Sequence, residues 1–176
     1  MFLWRISHAC DSMAHMQNKK FYAGAIILGM HDALVSLTGL VAGLTFALAQ
    51  QKLIVLSAII ASVTAGLSMG ASEYLAEKTN RNKYAWRAGI TTGCAYMATC
   101  VMLLIPFYIS DNSRVALLFS FAIAAMMIFL CNFCIRHAHN RNWWQHAIEM
   151  LIICATVSIV AFLIGEFAKT TMGVII

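Results

Sequence analysis

Five long apolar stretches dominate this sequence and limit what it can fold into. Each stretch is near or above the roughly 20 residues that an α-helix needs to cross a bilayer. They lie at about 22–49, 53–76, 86–109, 113–136 and 145–168. Of the 176 residues, 61% are hydrophobic and 11% are charged, whereas soluble domains carry roughly 25% charged residues. We therefore predict an all-α membrane protein with five transmembrane helices, built as a single domain over residues 1–176.

Basic residues predict how the helices are oriented. Nine Lys and Arg residues fall on one side of the alternating spans and three on the other. The nine are Arg5, Lys19, Lys20, Lys78, Arg81, Lys83, Arg87, Arg136 and Arg141, and the three are Lys52, Arg114 and Lys169. The positive-inside rule places the N-terminus and the 77–85 and 137–144 loops in the cytoplasm, and the C-terminus opposite. Topology and anionic lipid then account for the net charge of +5 without nucleic acid.

The ends of the spans carry two further features. Residues 1–21 are polar and lack the apolar core of a signal peptide, so we expect them to stay attached as a cytosolic amphipathic lead-in. Tyr84, Trp86, Trp143 and Trp144 flank spans 3 and 5 on the predicted cytoplasmic side and fit an interfacial aromatic belt.

Asp32 is the residue that points most directly to function. It is the only carboxylate in an otherwise uncharged run from Phe21 to Gln51. An ionised carboxylate in hydrocarbon costs several kcal/mol, so a cation, a proton or a water-filled path must compensate it. The sequence therefore predicts ion movement near Asp32.

Helices 1 and 2 each have one face of small and polar residues. At about 100° per residue, the first face holds Gly29, Asp32, Ser36, Gly39 and Gly43. The second face holds Ser62, Gly66, Met69 and Glu73. The steps Gly39–Gly43 and Gly66–Gly70 are small-xxx-small motifs, and we expect the two faces to approach closely. Plain helix packing explains the glycines but not the acids or Met69.

The ligand types on these faces favour a transition metal. Carboxylate oxygen with a thioether sulfur suits a borderline divalent ion such as Fe²⁺ better than Mg²⁺ or Ca²⁺. In a chain with 11 methionines, the alternative for Met69 is ordinary packing.

Three segments resemble the vacuolar iron transporter (VIT) family. The runs GMHDALVS at 29–36 and GLVAG at 39–43 resemble its first helix, AGLSMGASEY at 65–74 its second, and RAGITT at 87–92 the start of its third. The resemblance implies a homodimeric carrier that exports Fe²⁺, and often Mn²⁺, from the cytosol in exchange for protons, with no permanent cofactor. It also implies metal-site roles for Asp32, Met69, Glu73 and Glu77, with the first helices lining a path at the dimer axis.

The chain departs from the family pattern in two places. Many members insert a long acidic helical domain between helices 2 and 3, whereas residues 77–83 here are short and basic. Some members carry further acids in helices 1 and 2, where this chain has Ala25 and Ala61. The alternative to a carrier is therefore a membrane metal sensor or interaction protein of the same fold that does not transport.

Two further clusters are candidate metal ligands. His8, Asp11 and His15 share one face of the lead-in, and their alternative is a solvated face of an interfacial helix. Cys131, Cys134 and His137 close helix 4 with a C-x-x-C spacing that has no second pair, so the alternative there is packing.

The remaining expectations concern Glu149, catalysis and location. We expect Glu149 to snorkel or to pair with Arg141 or His146. No P-loop, Gly-x-Ser-x-Gly or His-Glu-x-x-His motif occurs, so we predict that the chain is not an enzyme. The host membrane is the plasma (inner) membrane in a prokaryote and a vacuolar or other organelle membrane in a eukaryote.

Overall fold

A computed structural model describes the backbone of residues 2–47, 50–139 and 143–172, and the side chains within 23–47, 50–133 and 144–171. These residues form five α-helices and no strand. The helices are α1 (Phe2–Ala47), α2 (Gln51–Thr79), α3 (Ala85–Ile109), α4 (Ser113–His139) and α5 (Trp143–Met172). The lead-in is therefore helical and continuous with the first span. Whether it is amphipathic stays a prediction, because its side chains lie outside the described ones.

All five helices contain a segment long and apolar enough to cross a membrane. The segments are Ala23–Ala47, Gln51–Thr79, Ala85–Ile109, Ser113–Phe133 and Trp144–Thr171. Their large apolar side chains point outward along most of the bundle, with Leu67 71% and Phe167 72% exposed. A surface of this kind requires lipid as its solvent. The prediction of an all-α membrane protein with five spans is confirmed.

Helix α1 packs against each of the other four helices, most extensively against α5 and α3. Helix α3 packs mainly against α2 and α1 and less against α4. The buried core follows from this arrangement, with Leu34 and Leu37 of α1 and Leu103 of α3 at most 1% exposed. The core places α1 between α3 and α5.

The helix ends are fixed by side chains that satisfy free backbone groups. In the connector between α2 and α3, residues 80–84, Asn82 accepts a hydrogen bond from the Tyr84 amide at 3.0 Å. Arg81 there has a φ of 57°, which lets the chain reverse. At the opposite end of the bundle, Gln51 of α2 donates to the carbonyls of Phe107 and Ser110 at the end of α3. Carbonyls at a helix C-terminus otherwise lack partners, so Gln51 ties α2 to α3.

Candidate functional site

Asp32 lies near the middle of its span and on the outside of the chain. The segment Ala23–Ala47 has its midpoint at residue 35, so Asp32 is about 4.5 Å from that midpoint at 1.5 Å per residue. Its side chain is exposed. In hydrocarbon a bare carboxylate at this depth is strongly unfavourable. The surface around Asp32 therefore needs protein, water or a cation against it.

A hydrogen-bonded chain connects this surface to α3. Ser36 donates to the Asp32 backbone carbonyl at 2.7 Å, and its Oγ lies 2.8 Å from the Tyr96 hydroxyl. Since Ser36 has one hydroxyl proton and donates it to the carbonyl, the Tyr96 hydroxyl is the donor to Ser36. Tyr96 is 2% exposed and is itself held in the core. Ser36, beside Asp32 on the exposed face, is thus anchored to α3.

The α2 face points into the bundle, in contrast to the exposed Asp32 face. Ser62 and Gly66 are buried, and Met69 and Glu73 are partly buried, with Met69 packed against the core. The Ser62 hydroxyl has no hydrogen-bond partner among the described residues. The predicted common face of these residues is confirmed, and it ends in a half-buried acid.

Helix geometry places the proposed ligands at successive depths. Asp32 precedes Ala47 by 15 residues and Met69 follows Gln51 by 18, which gives axial distances of about 22 Å and 27 Å from that end of the bundle. Glu73 and Glu77 follow at further intervals of about 6 Å. The four residues therefore form a series from mid-span to the connector.

Glu77 lies at the connector end of this series. It accepts a hydrogen bond from the Asn82 side-chain amide at 2.8 Å, and it is partly buried. One carboxylate oxygen of Glu77 thus holds the connector.

These residues do not form one coordination sphere within a chain. Among the side chains that the structure describes, no three of the His, Cys, Asp and Glu groups lie close enough to hold a metal ion. Cys131 is partly buried, while the side chains of Cys134, His137, His8, Asp11 and His15 lie outside the described ones. These two further clusters therefore stay predictions.

The glycine faces pack, but not against each other. A Cβ atom on Gly43 would lie 2.9 Å from the Ala161 carbonyl oxygen of α5, and one on Gly70 would lie 2.8 Å from the Gly89 oxygen of α3. Close approach is confirmed for both steps. The expected pairing of the two faces is wrong within one chain, because α5 covers one glycine step and α3 covers the other.

Glu149 is explained by a local pair. Its Oε2 lies 3.3 Å from Nδ1 of His146, and both side chains are exposed. The expected pairing with His146 is confirmed, and Glu149 is set apart from the series on α1 and α2.

Tyr96 is the residue that sequence reasoning missed. A tyrosine in an apolar span gave no reason to look for a partner 60 residues earlier in the chain. The signal that was present is chemical, because a buried phenol needs a hydrogen-bond partner. Thr92, also on α3, has a buried hydroxyl with no partner among the described residues, and it marks the same side of the helix.

The fold and site together define a polytopic α-helical membrane protein with an acid exposed in the middle of its first span. The family model described as the VIT family matches residues 23–85 and 78–166, and the chain belongs to this family. Its members are membrane metal-ion transporters rather than enzymes. The two matched segments overlap at 78–85, which includes the connector. A comparison with curated proteins gives no match.

Proposed function

We propose that the chain exports divalent transition metal from the cytosol, Fe²⁺ first and Mn²⁺ second, in exchange for protons. The observation that carries this proposal is the exposed carboxylate of Asp32 about 4.5 Å from the middle of its span. A purely structural membrane surface gains nothing from a bare acid at that depth. A cation that binds there and leaves compensates the charge in turn.

The path runs along the series of ligands on α1 and α2. Glu77 and Glu73 accept the ion at the connector end, which the basic residues assign to the cytosol. Met69 supplies a soft ligand and Asp32 the mid-span acid. Fe²⁺ and H⁺ compete for the Asp32 carboxylate, since metal binding needs the deprotonated form. One residue then couples the two fluxes.

A homodimer completes the site. Within one chain, no three of the described His, Cys, Asp and Glu side chains lie close enough to share a metal ion, and the Asp32 surface is uncovered. A second copy facing that surface removes the acid from lipid and doubles the number of ligands on the path. This arrangement explains both observations at once.

One flux experiment tests which ion moves, whether its movement is coupled to protons, and whether Asp32 and Met69 are required. Anaerobic Fe²⁺ uptake into proteoliposomes is measured under an imposed pH gradient, with lumenal pH followed, for wild type, Met69→Ala and Asp32→Ala. Asp111→Asn is the matched control, because Asp111 is an exposed acid outside the spans. Gradient-driven uptake that Asp111→Asn retains and Asp32→Ala loses supports the proposal. Folded wild type that binds Fe²⁺ but moves neither Fe²⁺ nor Mn²⁺ favours the non-transporting sensor.

Competition between metal and protons has a defined sign. Lowering the pH on the metal-loading side raises the concentration of the competing proton and weakens metal binding. The concentration for half-maximal Fe²⁺ uptake is therefore expected to rise as the pH on that side falls. A half-saturation that does not change with pH contradicts coupling through Asp32.

Disulfide crosslinking tests the dimer separately. Leu28 is 43% exposed one turn before Asp32, whereas Leu118 on α4 is 69% exposed. In oxidised native membranes, Leu28→Cys is expected to crosslink two chains and Leu118→Cys is not, in a background where the native cysteines are replaced. Only monomers from both variants contradict a dimer on the Asp32 surface.

A further inference from the structure

A membrane-facing groove runs between α2 and α3. Its volume is about 620 Å³, within the roughly 300–1,000 Å³ of small-molecule sites. Glycines form its floor, Leu67 and Ile90 are among its walls, and Tyr74 and Trp86 lie at the connector end. The floor residues are Gly66, Gly70, Gly89 and Gly93.

The groove has the depth of one lipid leaflet. Its lining extends along α3 from Trp86 to Met97, which is about 16 Å of helix. Half of a bilayer core about 30 Å thick is about 15 Å. Because the lining is almost entirely apolar, an acyl chain fits its length and its chemistry.

Cations without carboxylate partners surround the connector end of the groove. The Arg87 guanidinium lies 5.1 Å from the ring centre of Tyr84 and 5.3 Å from that of Trp86, and the Lys78 ammonium lies 5.5 Å from that of Tyr74. Among the described residues, neither basic side chain forms a salt bridge. The aromatic rings hold the cations at the mouth of the groove, and their charge suits an anionic head group.

We propose that this groove binds one anionic phospholipid, with an acyl chain between α2 and α3 and the phosphate beside Arg87 and Lys78. The charge complementarity selects the lipid, and the glycines let α2 and α3 approach closely beneath it, because a Cβ atom on Gly70 would lie 2.8 Å from the Gly89 carbonyl oxygen. The site does not depend on transport, so its test and that of the proposed function can fail separately.

Native mass spectrometry of the full-length chain tests the head group. Detergent-purified protein is mixed with phosphatidylglycerol or phosphatidylcholine that carry identical acyl chains. Wild type is expected to retain one phosphatidylglycerol per chain, at least tenfold in preference to phosphatidylcholine, since each cation near the phosphate contributes about fivefold. Arg87→Gln is expected to lower phosphatidylglycerol retention about fivefold. Arg114→Gln, an exposed cation at the opposite end of the bundle, is the matched control.

A groove-filling variant tests the acyl chain. Ala71 is exposed and lines the groove, so Ala71→Phe is expected to displace the lipid. Ala122→Phe, on the exposed side of α4, is expected to have no effect. Should Ala71→Phe fail to fold, Cys94→Phe fills the groove from α3 and tests the same point. Three results would each overturn the proposal. The first is equal retention of both lipids, and the second is retention that neither Arg87→Gln nor the groove-filling variants change. The third is a Cys94-to-Cys94 crosslink, which would place a second chain in the groove.

Discussion

The two halves of the small-residue face on α1 have the same sequence character but different surroundings. From Gly39 to Gly43 the face is covered by α5, and a Cβ atom on Gly39 would lie 2.8 Å from the Val157 side chain. At Asp32 and Ser36 the same face is exposed. One half therefore contributes packing and the other half leaves a polar surface uncovered. A glycine step thus identifies close approach, whereas the acid beside it lies on a part of the face that no other helix of the chain covers.

Replacing Asp32 is expected to have the largest effect, and the effect is on function alone. In Asp32→Asn, Fe²⁺ uptake into proteoliposomes is expected to fall to the level of protein-free vesicles, because the mid-span charge that we propose binds the ion is gone. Thermal stability of the purified protein is expected to be unchanged or higher, since removing a charge from the membrane interior relieves a cost. A variant that transports normally, or one that unfolds, contradicts the assignment of this half of the face to function.

Enlarging Gly43 is expected to lower stability, whereas replacing Asp32 is expected to change function alone. Gly43→Leu forces side-chain atoms into the Ala161 backbone, where a Cβ alone would lie 2.9 Å from the oxygen. We expect a loss of about 1–3 kcal/mol in the free energy of unfolding, measured by denaturant titration in detergent. Gly24→Leu is the matched control, because a Cβ at Gly24 meets nothing within 4 Å. Equal stability of Gly43→Leu and Gly24→Leu would contradict a packing role for the Gly39–Gly43 half of the face.

The fold could be predicted from sequence because its signal is carried by each helix separately. Five apolar stretches gave five spans, and the observed segments, such as Ala23–Ala47 and Ala85–Ile109, agree with the predicted boundaries within a few residues except where a helix continues past the apolar region. Periodicity also placed Ser62, Gly66, Met69 and Glu73 on one face of α2, as observed.

What could not be predicted is which helix meets which face. The glycine steps on α1, α2 and α3 and the single Gly165 on α5 are chemically alike, so their pairing depends on the three-dimensional arrangement and not on local pattern. The structure pairs Gly43 with Gly165 and Gly70 with Gly89. The link from Ser36 to Tyr96 was missed for the same reason, since it joins residues 60 positions apart.

Removing the Tyr96 hydroxyl is expected to have the smallest effect, and it shows whether the exposed half of the face depends on α3. Tyr96→Phe keeps the buried ring and deletes the donor that lies 2.8 Å from Ser36. The expected loss of stability is about 1 kcal/mol, and the half-saturating Fe²⁺ concentration is expected to rise several-fold as the turn at Asp32 and Ser36 loses its anchor. Tyr108→Phe, on an exposed tyrosine of the same helix, is the control. A loss of stability with an unchanged half-saturating Fe²⁺ concentration would restrict Tyr96 to packing. A rise in that concentration that Ser36→Ala reproduces would instead show that α3 positions Asp32 for the ion.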